Sequence, residues 1–118
     1  VWQKGIDGRG VTIALIDDGI DFKHADLRES FRKDLSFDFN RGTTLPIPER
    51  RKADHHGTRC AGQIVAKPNN GVCGVGIAPG ASVSAIRILS NAVSSRNEAA
   101  AVVHRFHDNH IYSCSWGP

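Results

Sequence analysis

The chain holds 118 residues with Lys+Arg 15 against Asp+Glu 12, a formal net charge of +3, and 40% hydrophobic residues. That is one domain or less, and with 23% charged residues and no apolar run near the roughly 20 needed to cross a bilayer it is neither a disordered chain nor a membrane-spanning helix. A chain that begins Val1-Trp2-Gln3-Lys4 and lacks methionine is expected to be processed or a piece of something longer, so the absence of a signal segment says nothing about secretion.

In chain order, Val11 to Ile16 is a nearly continuous, β-branched apolar run closed by Asp17-Asp18-Gly19, which predicts a buried parallel strand running into a turn. Phe31 to Lys52 carries Asp38, Asn40, Gly42, Pro46 and Pro48 with little periodicity and reads as a long surface loop. Gly57, Ala61 and Gly62 fall near one side of a helix over Gly57 to Ala66, a small-residue face that lets a backbone approach a sheet. Ser82 to Leu89 alternates and predicts a strand, Asn97 to His107 has helical spacing, and Ile111 to Trp116 is again strand-like. Strand, helix, strand, helix, strand is the order of an α/β parallel sheet, with ligand sites at the carboxyl ends of its strands. Asp17-Asp18 and Ser115-Trp116-Gly117 both fall at such ends, and the chain stops just after a strand, as half of a fold would.

Charge and cysteines narrow the classes. A sequence pI near 9.0 comes from basic residues spread along the chain; the one cluster, Glu49-Arg50-Arg51-Lys52, reads as a solvated loop, so no nucleic-acid partner is expected. Cys60, Cys73 and Cys114 form no CxxC pair and no even set, which argues against a zinc ribbon or a self-contained disulfide scaffold. Gly8-Arg9-Gly10 precedes the first strand, whereas a dinucleotide fingerprint follows it. A histidine metal site is a rival, with His104, His107 and His110 three apart and His55-His56 near Cys60, but a solvated face is the favoured reading of the first set.

A carboxylate fixed at a buried strand end is placed to orient a histidine. Asp17 is such a residue, and His56 opens the run His56-Gly57-Thr58-Arg59-Cys60-Ala61-Gly62. The strings IDDGID (16–21), HADL (24–27), HGTRCAG (56–62), GVCGVGIAPGA (71–81) and IYSCSWGP (111–118) together resemble the subtilisin-like serine proteases, and more narrowly their kexin and furin branch, the proprotein convertases, nearest its fungal kexin-like members. The resemblance runs over almost the whole chain.

The resemblance implies a partial, truncated subtilisin-like three-layer α/β fold with a mostly parallel central sheet, residues 1–118 being the amino-terminal part of a subtilase catalytic domain. It implies Asp17 as the triad carboxylate and His56 as the general base. The family's serine lies in a Gly-Thr-Ser string absent from these residues, so the 118 residues alone are expected to be inactive. For substrate it implies Asp18 and Glu98 as acids recognising basic side chains, and Ser115, Trp116 and Gly117 as the segment that pairs with extended substrate backbone. A calcium site is implied at Asp26, the Asn70 side chain, and the carbonyls of Lys67, Val72 and Gly74. Cys60 is expected unpaired near the active site, and Cys73 is expected to pair with a cysteine later in the domain.

The branch usually has an acid three before the histidine; this chain has Ala53 there and Asp54 one step later. The acids for the cleaved arginine, and one calcium carboxylate, are expected outside residues 1–118. The intact protein is expected to cleave pro-proteins after paired basic residues, with a propeptide and a downstream P-type domain as partners, in the secretory pathway, on the lumenal side of the late Golgi membrane or at the cell surface. A non-catalytic calcium-binding relic or interaction module is the alternative.

Overall fold

The computed structural model describes residues 1–49, 52–72 and 74–117. Arg50 and Arg51 of the basic cluster, the expected disulfide cysteine Cys73, and Pro118 lie outside the described residues.

Among the described residues the strands are β1 (Thr12–Asp17), β2 (Phe37–Asp38), β3 (Ser82–Arg87) and β4 (Ile111–Ser113), and the α-helices are α1 (His56–Val65) and α2 (Ser95–Val102). The four strands form one sheet in the order β2-β3-β1-β4, and every pairing within it is parallel. All six residues of β1 are buried, as expected of a central parallel strand covered on both faces.

The alternation of side chains along β1 sorts the core into two layers. Ile13 and Leu15 pack with Ala61 and Val65 of α1, together with Val83 and Ala85 of β3. Ala14 and Ile16 point the other way and pack with Ile86, Ile88 and Ala101 of α2. The two helices therefore cover opposite faces of the sheet, which is the expected three-layer α/β arrangement.

After β1 the chain builds β2 and β3 on one side, then crosses to place β4 on the other. The carboxyl end of β1 is thus a topological switch point, where open α/β sheets form their ligand crevices. Asp17 is the last residue of that strand.

Three sequence expectations are corrected. The loop over 31–52 contains a short 3₁₀ turn at Lys33–Leu35 and the two-residue strand β2, which adds an edge to β3. The second helix ends at Val102, not His107. Arg105 has φ 54, a left-handed conformation that no α-helix continues through, and Val103 and Phe106 beyond the helix face solvent. The last strand ends at Ser113, not Trp116, because backbone pairing to β1 stops at Leu15↔Ser113, and beyond it the Trp116 indole N–H donates to the Ile16 carbonyl at 2.7 Å.

Candidate active site

Asp17 is 1% exposed and reaches the carboxyl end of β1 with its side chain toward the start of α1. His56, the first residue of α1, brings Nδ1 within 2.9 Å of Asp17 Oδ2 and 3.0 Å of Oδ1. The imidazole side chain keeps 52% of its surface exposed, against 1% for the aspartate. With Nδ1 facing the carboxylate, Nε2 is the nitrogen left to meet a reactant.

The rest of the local structure serves this contact. The Asp18 N–H donates to Asp17 Oδ1 at 2.7 Å, fixing the carboxylate rotamer. Asp18, itself 8% exposed, turns its carboxylate across the gap to cap α1: Oδ2 accepts the His56 N–H at 3.0 Å and Oδ1 the Gly57 N–H at 2.8 Å. Two unpaired donors of the helix start are satisfied by a charge that the helix dipole favours. His55, the residue before the helix, supplies no side-chain cap of its own.

Gly57 allows the close approach. A Cβ there would collide with the Gly19 carbonyl and lie 3.0 Å from Asp17 Cβ and from Asp18 Oδ1. Gly57 and Ala61, one turn apart, are the buried small residues of this face, whereas Gly62 is half-buried with open space beside it.

The charges couple. Asp17's hydrogen bond and charge hold the His56 imidazole above its ordinary value, against a smaller opposing effect of desolvation. Burial pushes the Asp17 carboxyl up, against the His56 ring and the Asp18 N–H, which favour the carboxylate. Cys60 lies one turn along α1 with Sγ 3.8 Å from both His56 ring nitrogens; burial raises its thiol pKa, partly offset by the Ser115 hydroxyl. Cys60 and Cys114 are free thiols.

Ser115, Trp116 and Gly117 run past the carboxyl end of β1 as irregular backbone, Ser115 and Gly117 exposed and Trp116 half-buried on its indole bond to Ile16. Glu98 is exposed in the first turn of α2, whose start is capped by the Ser94 hydroxyl accepting from the Asn97 N–H. Asp54, the acid displaced by one position, does not face outward. Its Oδ2 takes the Arg87 guanidinium at 2.8 Å, the Ser90 hydroxyl at 2.7 Å and the Glu49 N–H at 3.0 Å.

Two of the residues implied for calcium meet: Asp26 is buried, and the Asn70 amide lies on its Oδ1 at 2.5 Å. Asn70 Oδ1 accepts the Val72 N–H at 3.0 Å, and the Lys67 N–H donates to the Asp26 carbonyl at 3.1 Å. The Lys67 ammonium turns away to the Pro79 carbonyl, leaving Lys67 only its backbone to offer. A buried carboxylate, a carboxamide oxygen and the backbone carbonyls of Lys67, Val72 and Gly74 are by chemical type the donors a hard cation takes; here the Asn70 carboxamide turns its NH₂ toward Asp26 and its oxygen to the Val72 N–H.

The histidine series does not form a site. Among the described residues, the acid, histidine and cysteine side chains close enough to share an ion are Asp17, His56 and Cys60, within 4.8 Å of one another. His104 packs on Phe37 and Phe39, and His110 Nδ1 accepts the Thr12 N–H at 3.0 Å.

Sequence reasoning missed Arg87. It is fully buried, with Nη1 2.9 Å from Asp38, Nη2 2.8 Å from Asp54 and 3.2 Å from Glu49, and Nε–H donating to the Asp18 carbonyl at 2.9 Å. The signal was one arginine in the apolar alternation SVSAIRIL, a position where charge survives only when paired.

An aspartate holding one nitrogen of a solvent-facing imidazole, at the switch point of a parallel α/β sheet, is an arrangement that can orient a general base. Residues 8–118 match the subtilase family, and the chain belongs to it. It is 48% identical over its full length to kexin of Saccharomyces cerevisiae, 51% to the dibasic-processing endoprotease of Schizosaccharomyces pombe, and 41% to proprotein convertase subtilisin/kexin type 7 of Mus musculus. The chain spans only 14%, 16% and 16% of those relatives. Among solved structures, the Aeromonas sobria serine protease bound to its chaperone superposes with a TM-score of 0.84 at 28% identity, over 97% of this chain and 19% of that one. Fervidolysin from Fervidobacterium pennivorans gives 0.80 at 26%, over 98% and 18%. The fold is a partial subtilisin-like one.

Proposed function

We propose that this chain supplies the aspartate and histidine of the triad in a calcium-dependent serine endoprotease that cleaves pro-proteins after paired basic residues. The observation that carries the reading is the Asp17–His56 contact at 2.9 Å, at the carboxyl end of the central strand. Asp17 orients the imidazole and stabilises it when charged; His56 Nε2 takes the proton of a serine hydroxyl supplied by the intact protein and returns it to the leaving amine. Asp18 and Glu98 add negative charge that suits basic substrate side chains. Ser115, Trp116 and Gly117 offer free backbone for an extended peptide to pair with. Calcium would be held by Asp26, Asn70 and the carbonyls of Lys67, Val72 and Gly74, where its charge ties the 67–74 turn to the core.

The dibasic specificity draws support from the fission-yeast relative, a dibasic-processing endoprotease, and the pro-protein substrate from the mouse proprotein convertase. Work after paired basic residues of pro-proteins fits a secretory-pathway enzyme, in the late Golgi lumen or at the cell surface, that matures with a propeptide and a P-type domain. The test is hydrolysis of an Arg-Arg or Lys-Arg peptide by the intact protein in calcium. Activity that vanishes in His56→Ala supports the reading. Full activity in that variant removes the mechanism, and an intact wild type that binds calcium without hydrolysing any peptide is the non-catalytic relic.

A further inference from the structure

Arg87 is an expensive residue to bury. A guanidinium with no exposure persists in a core only when it is paired and hydrogen-bonded, and here each of its nitrogens finds an acceptor: Nε the Asp18 carbonyl, Nη1 Asp38, Nη2 Asp54 and Glu49. Two of these four partners, Asp38 and Glu49, come from the segment that reads as a featureless loop, and Asp54 lies just past it, so one cation holds that stretch on the end of β3.

What distinguishes this cluster from a plain structural rivet is where its arms end. The Nε arm holds the backbone of Asp18, which immediately follows Asp17 and whose carboxylate caps His56 and Gly57. The Nη2 arm holds Asp54, two residues before His56. The backbone just past β3 closes the same frame: the N–H groups of Ile88 and Leu89 donate to the Asp17 carbonyl at 3.0 and 3.3 Å. Arg87 is also the register partner of Asp17 across the β1–β3 pairing, so both members of the Asp17–His56 pair are located by groups that converge on Arg87, whose guanidinium bonds to neither of them.

Building on the functional reading above, we propose that Arg87 is a positioning residue for the acid–base pair, setting the alignment of the His56 imidazole on Asp17 from behind through Asp18 and Asp54. The planar fork is essential to the role. Lysine could balance the carboxylates with a compact ammonium but could not hold the Asp18 carbonyl, Asp38 and Asp54 in three fixed directions.

The test uses the intact protease with Arg87→Lys, Arg87→Met and, as a control for stability alone, Val83→Ala, which opens a cavity in the core beside α1. Turnover is measured per titrated active site across pH, and the His56 ring is titrated by NMR in the same variants. Arg87→Lys is expected to keep its fold, to lose about tenfold in kcat with KM within about twofold, the signature of an interaction realised in the transition state, and to titrate His56 closer to an ordinary histidine. Val83→Ala is expected to lower Tm without moving either the pH profile or the His56 titration.

If Arg87→Lys matches wild type in kcat and His56 titration, or behaves like Val83→Ala, Arg87 is structural and the proposal is overturned. Should Arg87→Met fail to fold, the lysine variant decides alone. A wild type without turnover would sink the functional reading instead, and the NMR titration would still decide the positioning role.

Discussion

Asp18→Asn separates two roles for the acid beside Asp17. In the structure both of its carboxylate oxygens accept N–H groups from the start of α1, at 3.0 and 2.8 Å, and the residue is 8% exposed. Hydrogen bonds to a charged group contribute about 1.5–3 kcal/mol each, and a charge at a helix N-terminus about 0.3–1 kcal/mol more. Asparagine keeps one acceptor, turns an NH₂ against the other N–H, and loses the charge. The expected cost is about 2–4 kcal/mol, seen as a fall of several degrees in the Tm of the intact protease rendered inactive at its serine. Because α1 carries His56, kcat should drop with every substrate. A Tm within about 1 °C of wild type, with KM raised only for peptides bearing a basic side chain before the cleaved residue, would refute the capping argument.

Gly57→Ala places a methyl against the Gly19 carbonyl and Asp17, so α1 must move off the strand end; activity should fall by about 10²-fold or more, and an active, normally stable variant would mean the close approach is dispensable. His56 has a folded pKa raised by Asp17, so its protonation stabilises the native state below the ordinary histidine value, and that contribution is lost as pH rises through the raised one. The gap in stability between wild type and His56→Ala should accordingly be wider near about pH 5 than near about pH 9, measured by thermal unfolding at both. Asp54 runs the other way. Burial raises its carboxyl, but Arg87, Ser90 and the Glu49 N–H together bring it below the ordinary value, so its contribution is present above that value and lost as pH falls through the folded one. Asp54→Asn should flatten the acid limb of stability, and an unchanged limb counts against the cluster. On the proposed calcium site, a chelator should lower Tm, by less in Asp26→Asn; an unchanged wild-type Tm, or equal shifts in the two proteins, would count against the assigned ligands.

How far the sequence reached depends on the range of the interaction. β1 was legible because six consecutive buried residues leave a local mark, and the Asp17–His56 pair because its flanking strings carry the family resemblance. β2 was not, since two residues cannot display a period and Phe37-Asp38 becomes a strand only by pairing with β3. The true ends of α2 and β4 were set by a left-handed Arg105 and by the Trp116 indole reaching Ile16, neither of which leaves a periodic trace. The Arg87 cluster gathers Asp38, Glu49 and Asp54 from 33 to 49 positions away, so only the oddity of an arginine in an apolar strand hinted at it. Asp54 shows the consequence: by position it could replace the branch's missing acid, yet its carboxylate is bonded inward.

The most direct test of the acid–base pair is an NMR titration of the His56 ring in the intact protease, wild type against Asp17→Asn. The account predicts a His56 pKa above the ordinary histidine value of about 6.5 in wild type and a return toward it in the variant. A wild-type ring titrating at or below that value, or one indifferent to Asp17→Asn, would contradict it.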